Sequence, residues 1–129
     1  MCSTPTWLWP PPISTWVANG DEASAAVRRF KADGYDAVKV YSFLTKEEYD
    51  AIVATAKAEN LPVIGHVPMA LSVEYVLDAG QKLIAHTEEV WKHAGGDYSQ
   101  ERIDSFATKI AERLWPTPNT HLGRYTCIH

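Results

Sequence analysis

The feature that most constrains the fold of this chain is an alternation of helix-type and strand-type segments that begins at about residue 21. Apolar residues spaced i, i+3, i+4 and i+7 predict four helices, over about 21–33, 46–59, 73–79 and from 100 onward. Short apolar runs between them predict strands over 37–41, 62–66 and 83–86, with a fourth beginning at Leu114-Trp115. Strands that alternate with helices through short connections indicate βαβ units. The predicted class is therefore α/β with a parallel sheet.

The first 20 residues differ in character from the rest. They contain Pro5, Pro10, Pro11 and Pro12 among three tryptophans. Because proline fixes φ and lacks a backbone N–H, this stretch is predicted to be extended and irregular. We therefore divide the chain into an irregular Trp/Pro-rich segment, 1–20, and a β/α domain, 21–129.

Composition and charge exclude several classes of protein. With 12 Lys and Arg against 16 Asp and Glu, the formal net charge is −4, and the basic residues are scattered. Nucleic-acid binding, which needs clustered Lys and Arg, is therefore not expected. No apolar run approaches the roughly 18 residues of a membrane span, and the N-terminus lacks the basic region of a signal peptide. A soluble, cytoplasmic protein is expected, and its two cysteines alone specify no disulfide framework.

Three unusual residues fall toward the carboxyl ends of three successive predicted strands: Lys39 lies inside the first strand, and His66 and His86 end the next two. In parallel α/β sheets, ligands bind at the carboxyl ends of the strands. Each residue alone also has a plain structural explanation. A strand lysine can extend its amine to solvent or form a salt bridge, and a histidine after a strand can be hydrogen-bonded within the fold. Their equivalent positions favour a shared site, but the pattern itself leaves both interpretations open.

The segments GYDAVKVY, LPVIGH and AGQKLIAH, in this order and spacing, resemble the amidohydrolase superfamily, in particular its imidazolonepropionase and prolidase-like branch. The resemblance covers roughly residues 20–95. It implies a (β/α)₈ barrel, a fold of about 250 residues, so this chain is expected to form a partial barrel of about four parallel β/α units. By the same resemblance Lys39 is carboxylated and binds metal, His66 and His86 are metal ligands, and Tyr41 contacts the substrate.

The chain also departs from the family pattern. It has no His-x-His pair, and the family's strand-eight aspartate, a metal ligand and general base, would lie beyond His129. A carbamate oxygen and two imidazoles would still give three protein ligands with a fourth position for water, as in catalytic zinc sites. Zinc is the expected metal, with manganese or cobalt as alternatives. Glu88 and Glu89 are candidate replacements for the base, although exposed loop glutamates are commonly only solvated.

The remaining histidines, His93, His121 and His129, have no strand context and are interpreted as surface residues. Metal ligation by Cys127 and His129 is only a weak possibility.

The leading functional hypothesis is a metal-dependent hydrolase that uses activated water on amide or peptide, ester or phosphotriester bonds of a small-molecule substrate. The first alternative is a non-catalytic, self-associating fragment, with or without bound metal. The second is a small-molecule-binding half-barrel without metal. Metal content and metal-dependent turnover distinguish the three.

A partial barrel is also expected to self-associate. We expect open sheet edges at the Lys39 strand and near Trp115, and an inward face with Ala37, Tyr41 and Ile64 that no opposite strand covers. Exposed apolar surface of this kind is commonly buried by symmetric pairing. The chain is therefore predicted to be a homo-oligomer, most simply a dimer.

Overall fold

A computed structural model describes residues 14–85, 89, 99–114 and 125–129. In these parts of the chain a parallel sheet of five strands is combined with four helices. The strands are β1 (Ser14–Thr15), β2 (Ala37–Val40), β3 (Val63–Gly65), β4 (Leu83–Ile84) and β5 (Tyr125–Ile128). The helices are α1 (Gly20–Ala32), α2 (Lys46–Ala58), α3 (Val73–Ala79) and α4 (Gln100–Arg113). The predicted α/β class is confirmed, and the arrangement is consistent with a partial (β/α)₈-type fold.

Local capping sets where the helices begin. The Thr45 hydroxyl accepts from the backbone N–H of Glu48, and the Glu48 carboxylate accepts from the backbone N–H of Thr45, which is a complete capping box before α2. Ser72 and Ser99 cap α3 and α4 through the same type of side-chain acceptor. These interactions join residues three apart, which explains why the helix starts could be predicted from the sequence.

The strand order across the sheet is β1-β5-β2-β3-β4. Lys39 pairs with Ile64 of β3 on one side and with Cys127 of β5 on the other. The Lys39 strand is thus the middle strand, and the expectation that it lies at an open edge is wrong. In the described part of the chain the two outer strands are β1 and β4.

The end of the sheet also differs from the sequence prediction. Leu114 is the C-cap of α4 instead of the start of a strand, and Trp115 lies outside the described residues. The strand that completes the sheet is β5, ten residues further on, and it pairs with β1 and β2. Ser14 and Thr15, in the segment predicted to be irregular, form β1 by pairing with Cys127 and Ile128. The tryptophans and prolines of residues 1–13 lie outside the described residues.

Both faces of the sheet are buried in the single chain. Val38 and Val40 belong to the apolar core shared with the helices, whose largest members include Phe30, Tyr49 and Ile52. By strand alternation, the other face carries Ala37 and Lys39, followed at the strand end by the half-buried Tyr41. Ala37 is 0% exposed, and Ile64 on the neighbouring strand is 3% exposed. The expectation of an uncovered inward face is therefore wrong, because the chain itself covers these side chains. Among the described helices, none combines the length and apolar composition that crossing a bilayer requires.

Candidate functional site

Lys39 lies in the middle of the central strand and is only 6% exposed. Its stem runs beside β3, because a Cβ placed on Gly65 would lie 3.0 Å from Cγ of Lys39. Fully buried lysines are rare in proteins, since removing an ammonium group from water is costly. This burial excludes a lysine extended to solvent, whereas a salt-bridged lysine and a functional lysine are both compatible with it.

His66 follows β3 directly and lies one strand away from Lys39. Its backbone N–H donates to the carbonyl of Val40 over 3.0 Å, which holds the residue against the end of β2. The ring is buried, and its Nδ1 lies 3.3 Å from Oγ of Ser42 and 3.4 Å from Oε1 of Glu89. A carboxylate on this side favours the proton on Nδ1 and places the ring's lone pair on Nε2, which is buried. This tautomer is the one that a metal-binding histidine of this orientation requires.

Gly65 allows the chain to turn into His66. Its φ is +120°, a conformation that residues with a side chain rarely adopt. A Cβ at this position would also overlap the backbone carbonyl oxygen of Val40. The glycine thus permits the close approach of β3 to β2 that brings His66 and Lys39 to the same edge.

Glu89 is placed differently from the exposed loop glutamate considered in the sequence analysis. It is 2% exposed, and its Oε2 accepts from the backbone N–H of Val67 over 3.2 Å while Oε1 faces His66. The carboxylate is therefore fixed against the Nδ1 side of His66, a geometry that positions the imidazole. His86 and Glu88, the other predicted residues of this region, lie outside the described residues.

Tyr41, the predicted substrate-contacting residue, lies at the same edge of the sheet. Its ring centroid is 4.4 Å from that of His66 and 4.6 Å from that of His129. The structure therefore brings together Lys39, Tyr41, His66 and Glu89 of the six predicted site residues.

His129 was interpreted as a surface residue, and the structure corrects this. It extends β5: its N–H donates to the carbonyl of Thr15, and its carbonyl accepts from Val17, both over 2.9 Å. Its ring stacks on Trp16 at 4.8 Å and contacts Tyr41, and burial lowers the pKa of the imidazole. The available signal was that His129 follows a short β-type run, YTCI, just as His66 follows VIG. His93 and His121 lie outside the described residues.

A buried glutamine that the sequence analysis missed fixes the backbone of the site. Gln81 is 0% exposed, and its Nε2 lies 3.2 Å from each of three carbonyl oxygens, those of Gly65, His66 and Leu83. Its Oε1 accepts from the hydroxyl of Tyr49 over 2.8 Å, and burial raises the pKa of that hydroxyl. These contacts, which we call the Gln81 clamp, join α2 to the ends of β3 and β4.

The donors that the structure describes fit part of a metal site. Lys39 and His66 are buried on adjacent strands, and imidazole nitrogen and carbamate oxygen are donor types that zinc accepts. Among the described residues no group of three or more His, Cys, Asp or Glu is arranged to hold a metal ion. The third predicted ligand, His86, is outside that range.

Comparison with solved structures shows similarity to bottromycin amidohydrolase, with a TM-score of 0.56 and 20% sequence identity. The alignment covers 83% of this chain and 26% of that protein, so this chain spans about a quarter of the neighbour's length. At this identity the comparison shows a shared amidohydrolase-type fold. No protein-family profile matches the chain, and no curated protein matches it.

Proposed function

We propose that this protein is a metal-dependent hydrolase that directs water at an amide or peptide, ester or phosphotriester bond of a small molecule. The observation that carries the proposal is the burial of Lys39 on β2 and of His66 just after the adjacent strand β3, with Glu89 held behind His66. The amidohydrolase-type fold supports it, since ligands of such sheets bind at this edge.

In the proposed site, Lys39, His66 and His86 hold one divalent metal, zinc first and manganese or cobalt as alternatives. Such an ion lowers the pKa of water and polarises a carbonyl or phosphoryl oxygen. Glu89 and Ser42 keep the His66 ring in the orientation that presents Nε2. Tyr41 forms the wall next to His66 and contacts the substrate.

Lys39 is proposed to act as its carbamate. The neutral amine attacks carbon dioxide, a C–N bond forms, and one proton is released, so the side chain becomes an anionic oxygen ligand. Lys39 is 6% exposed, and the buried neighbours Ala37 and Ile64 limit the access of bulk water to it.

The general base is proposed to be one of the two glutamates that follow His86. Glu89 is the better defined of the two, because the Val67 N–H and the His66 ring fix both of its oxygens. Because Glu89 lies on the Nδ1 side of His66, it would have to leave the imidazole before it could accept a proton from water bound near Nε2, and Glu88 is the other candidate.

The deciding experiment combines elemental analysis of protein purified without added metal with a hydrolase substrate panel. We expect about one equivalent of a divalent metal and turnover that a chelator abolishes and the metal restores. Lys39→Ala should lose activity and regain part of it with a short-chain carboxylic acid, which replaces the carbamate oxygen. Lys57→Ala, a change to an exposed lysine, serves as the matched control. Turnover that is insensitive to chelators would contradict the proposal.

The alternative of a non-catalytic fragment that binds metal is separated from the hydrolase by turnover. Stoichiometric metal without turnover on any substrate of the panel would support that alternative.

A further inference from the structure

Three large apolar side chains are conspicuously exposed in the described part of the chain: Trp16 at 74%, Phe43 at 73% and Met69 at 68%. Each follows the carboxyl end of a different strand. Trp16 comes directly after β1, Phe43 three residues after β2 and Met69 four residues after β3. All three therefore lie on the edge of the sheet that carries His66. We call these residues the apolar rim.

Direct contacts connect the apolar rim to the candidate site. On one side, the Met69 N–H donates to the carbonyl of Ser42 over 2.8 Å, and Ser42 also contacts Nδ1 of His66. On the other side, Trp16 stacks on His129, which contacts Tyr41, and Tyr41 contacts His66. The rim is thus continuous with the site through both neighbours of His66.

An exposed apolar side chain does not contribute the free energy that its burial would give to folding. Isolated exposed apolar residues are ordinary, but several at the mouth of a polar site are typical of ligand-binding surfaces. The chemistry of the three is also specific. An indole and a phenyl face favour stacked or edge contacts with another ring, and a thioether packs well against aromatic groups.

We propose that the apolar rim binds a planar aromatic group of the substrate, next to the bond that is cleaved at the Lys39–His66 site. The inference rests on the proposed function and deepens it by naming the substrate class: amides or esters that carry an aryl group. The competing occupant, a second copy of the chain, is an outcome of the test below.

The kinetic test compares vinyl acetate, which has no aryl group, with vinyl benzoate on the metal-loaded protein and on the double variant Phe43→Ser/Met69→Ser. Because both side chains are exposed, the variant should fold normally, which its thermal unfolding will show. We expect KM for the benzoate to rise about tenfold with kcat unchanged, because one ring–ring contact and one thioether–ring contact are lost. KM for the acetate should be unaffected, and Lys57→Ser should change KM for neither substrate. Equal effects on both substrates would overturn the inference while leaving the hydrolase proposal intact.

A binding test does not depend on turnover. The sequence contains two methionines, Met1 and Met69, so methyl-labelled methionine gives a nearly isolated probe of the rim. Adding 2-naphthylmethanol, which has no hydrolysable bond, should shift the Met69 methyl signal by ring currents, and Phe43→Ser should abolish the shift. A Met69 shift that Phe43→Ser abolishes, in a protein that turns over no substrate, would support aryl binding by the apolar rim. The same result would contradict the proposed hydrolase function.

The same spectra, recorded over a range of protein concentrations with light scattering, detect the competing occupant. A Met69 shift that follows protein concentration and the formation of dimers, and that 2-naphthylmethanol does not change, would overturn the inference in favour of a second copy of the chain.

Discussion

At the residue scale, the orientation of His66 depends on a carboxylate that is separated from it by more than twenty positions in the sequence. Glu89 approaches Nδ1 to 3.4 Å and is itself held by the Val67 N–H. This is the arrangement in which a carboxylate orients a histidine ligand and raises its basicity. The role of Glu89 can therefore be separated experimentally from the role of the ligand itself.

We predict that Glu89→Gln weakens zinc binding by about 10- to 100-fold, because the amide keeps the shape but loses the charge that favours a proton on Nδ1. His66→Ala should abolish stoichiometric binding, since two remaining ligands are too few. Competition with a chromophoric chelator measures the zinc affinity of both variants. Glu47→Gln, a change to an exposed glutamate on α2, is the control. Unchanged affinity in Glu89→Gln would contradict the positioning role.

A second residue-scale prediction compares two glycines with positive φ. Gly65 has φ of +120° and contacts the β2 backbone, whereas a Cβ on Gly80, with φ of +95°, would have no atom within 4 Å. Gly65→Ala should lower the free energy of unfolding by at least about 3 kcal/mol, because backbone strain and steric overlap of the new Cβ with the Val40 carbonyl add. Gly80→Ala should cost about 1 kcal/mol, from backbone strain alone. Urea unfolding of the two variants tests this, and equal losses would contradict the close approach of β3 to β2.

At the scale of elements, the Gln81 clamp joins α2, β3 and β4 at the point where the site is built. One buried amide shares its two N–H hydrogens among three carbonyl oxygens and accepts from the Tyr49 hydroxyl, so several buried partners lose a hydrogen bond if the amide is removed. A buried polar group left without its hydrogen bond costs about 1–3 kcal/mol. The clamp therefore contributes both to stability and to the position of the His66 backbone.

We predict that Gln81→Leu lowers the free energy of unfolding by about 2–4 kcal/mol, because several buried groups lose hydrogen bonds together. Gln100→Leu makes the same chemical change at an exposed position and should have little effect. Chemical denaturation measures the stability of both variants. A Gln81→Leu protein as stable as the unchanged chain would show that the clamp contributes little.

The contact between α2 and α3 gives a prediction about pH. Burial alone would raise the pKa of the Asp50 carboxyl, but hydrogen bonds from Lys46 and Tyr75, with the Lys46 charge, outweigh it and lower the pKa. The folded state therefore favours the ionised carboxylate. The resulting stability is present above the ordinary aspartate pKa of about 4 and is lost as pH falls through the lower folded value.

Because this carboxylate is largely solvated, we expect Asp50→Asn to cost at most about 1 kcal/mol at pH 7. The difference between the two proteins should shrink as the pH is lowered below about 4. Thermal unfolding across pH measures this stability difference. In a Lys46→Met background the difference should be smaller, because the carboxylate has lost the Lys46 ammonium as a partner. A stability difference that grows as the pH falls would contradict this prediction.

At the scale of the whole molecule, the outer strands of the described sheet are β1 and β4, each only two residues long. Short outer strands present few unpaired backbone groups, and the inward face is buried within the chain. These observations weaken the case for self-association through the outer strands or the inward face, and the dimer stays a prediction.

The predicted dimer is tested by light scattering at low micromolar concentration, where a mass of twice 14.4 kDa is expected. If the dimer forms through the outer strands, Phe43→Ser should leave its mass unchanged. A stable 14.4 kDa monomer would contradict the prediction and would be consistent with the burial of Ala37 and Ile64 in a single chain.

The sequence by itself determined the helices, the first three strands of the alternation and the placement of Lys39 and His66 at the carboxyl edge. The signals for these features are local. Capping pairs such as Thr45 and Glu48 lie three residues apart, and the apolar period of each element is complete within about ten residues. Parallel strands with short helical connections then place their ends at a common edge.

Only the tertiary structure decided the position of β5 between β1 and β2, the burial of Glu89 and the place of His129 beside Tyr41. The position of β5 and the burial of Glu89 have no local signal, and the run YTCI before His129 indicates a strand without indicating which strands it joins. The pairing of β5 joins residues about ninety positions apart, and its register depends on contacts that the four letters YTCI do not encode. Likewise a glutamate is buried or solvated according to the groups that surround it, which here are an imidazole and a backbone N–H from another strand end.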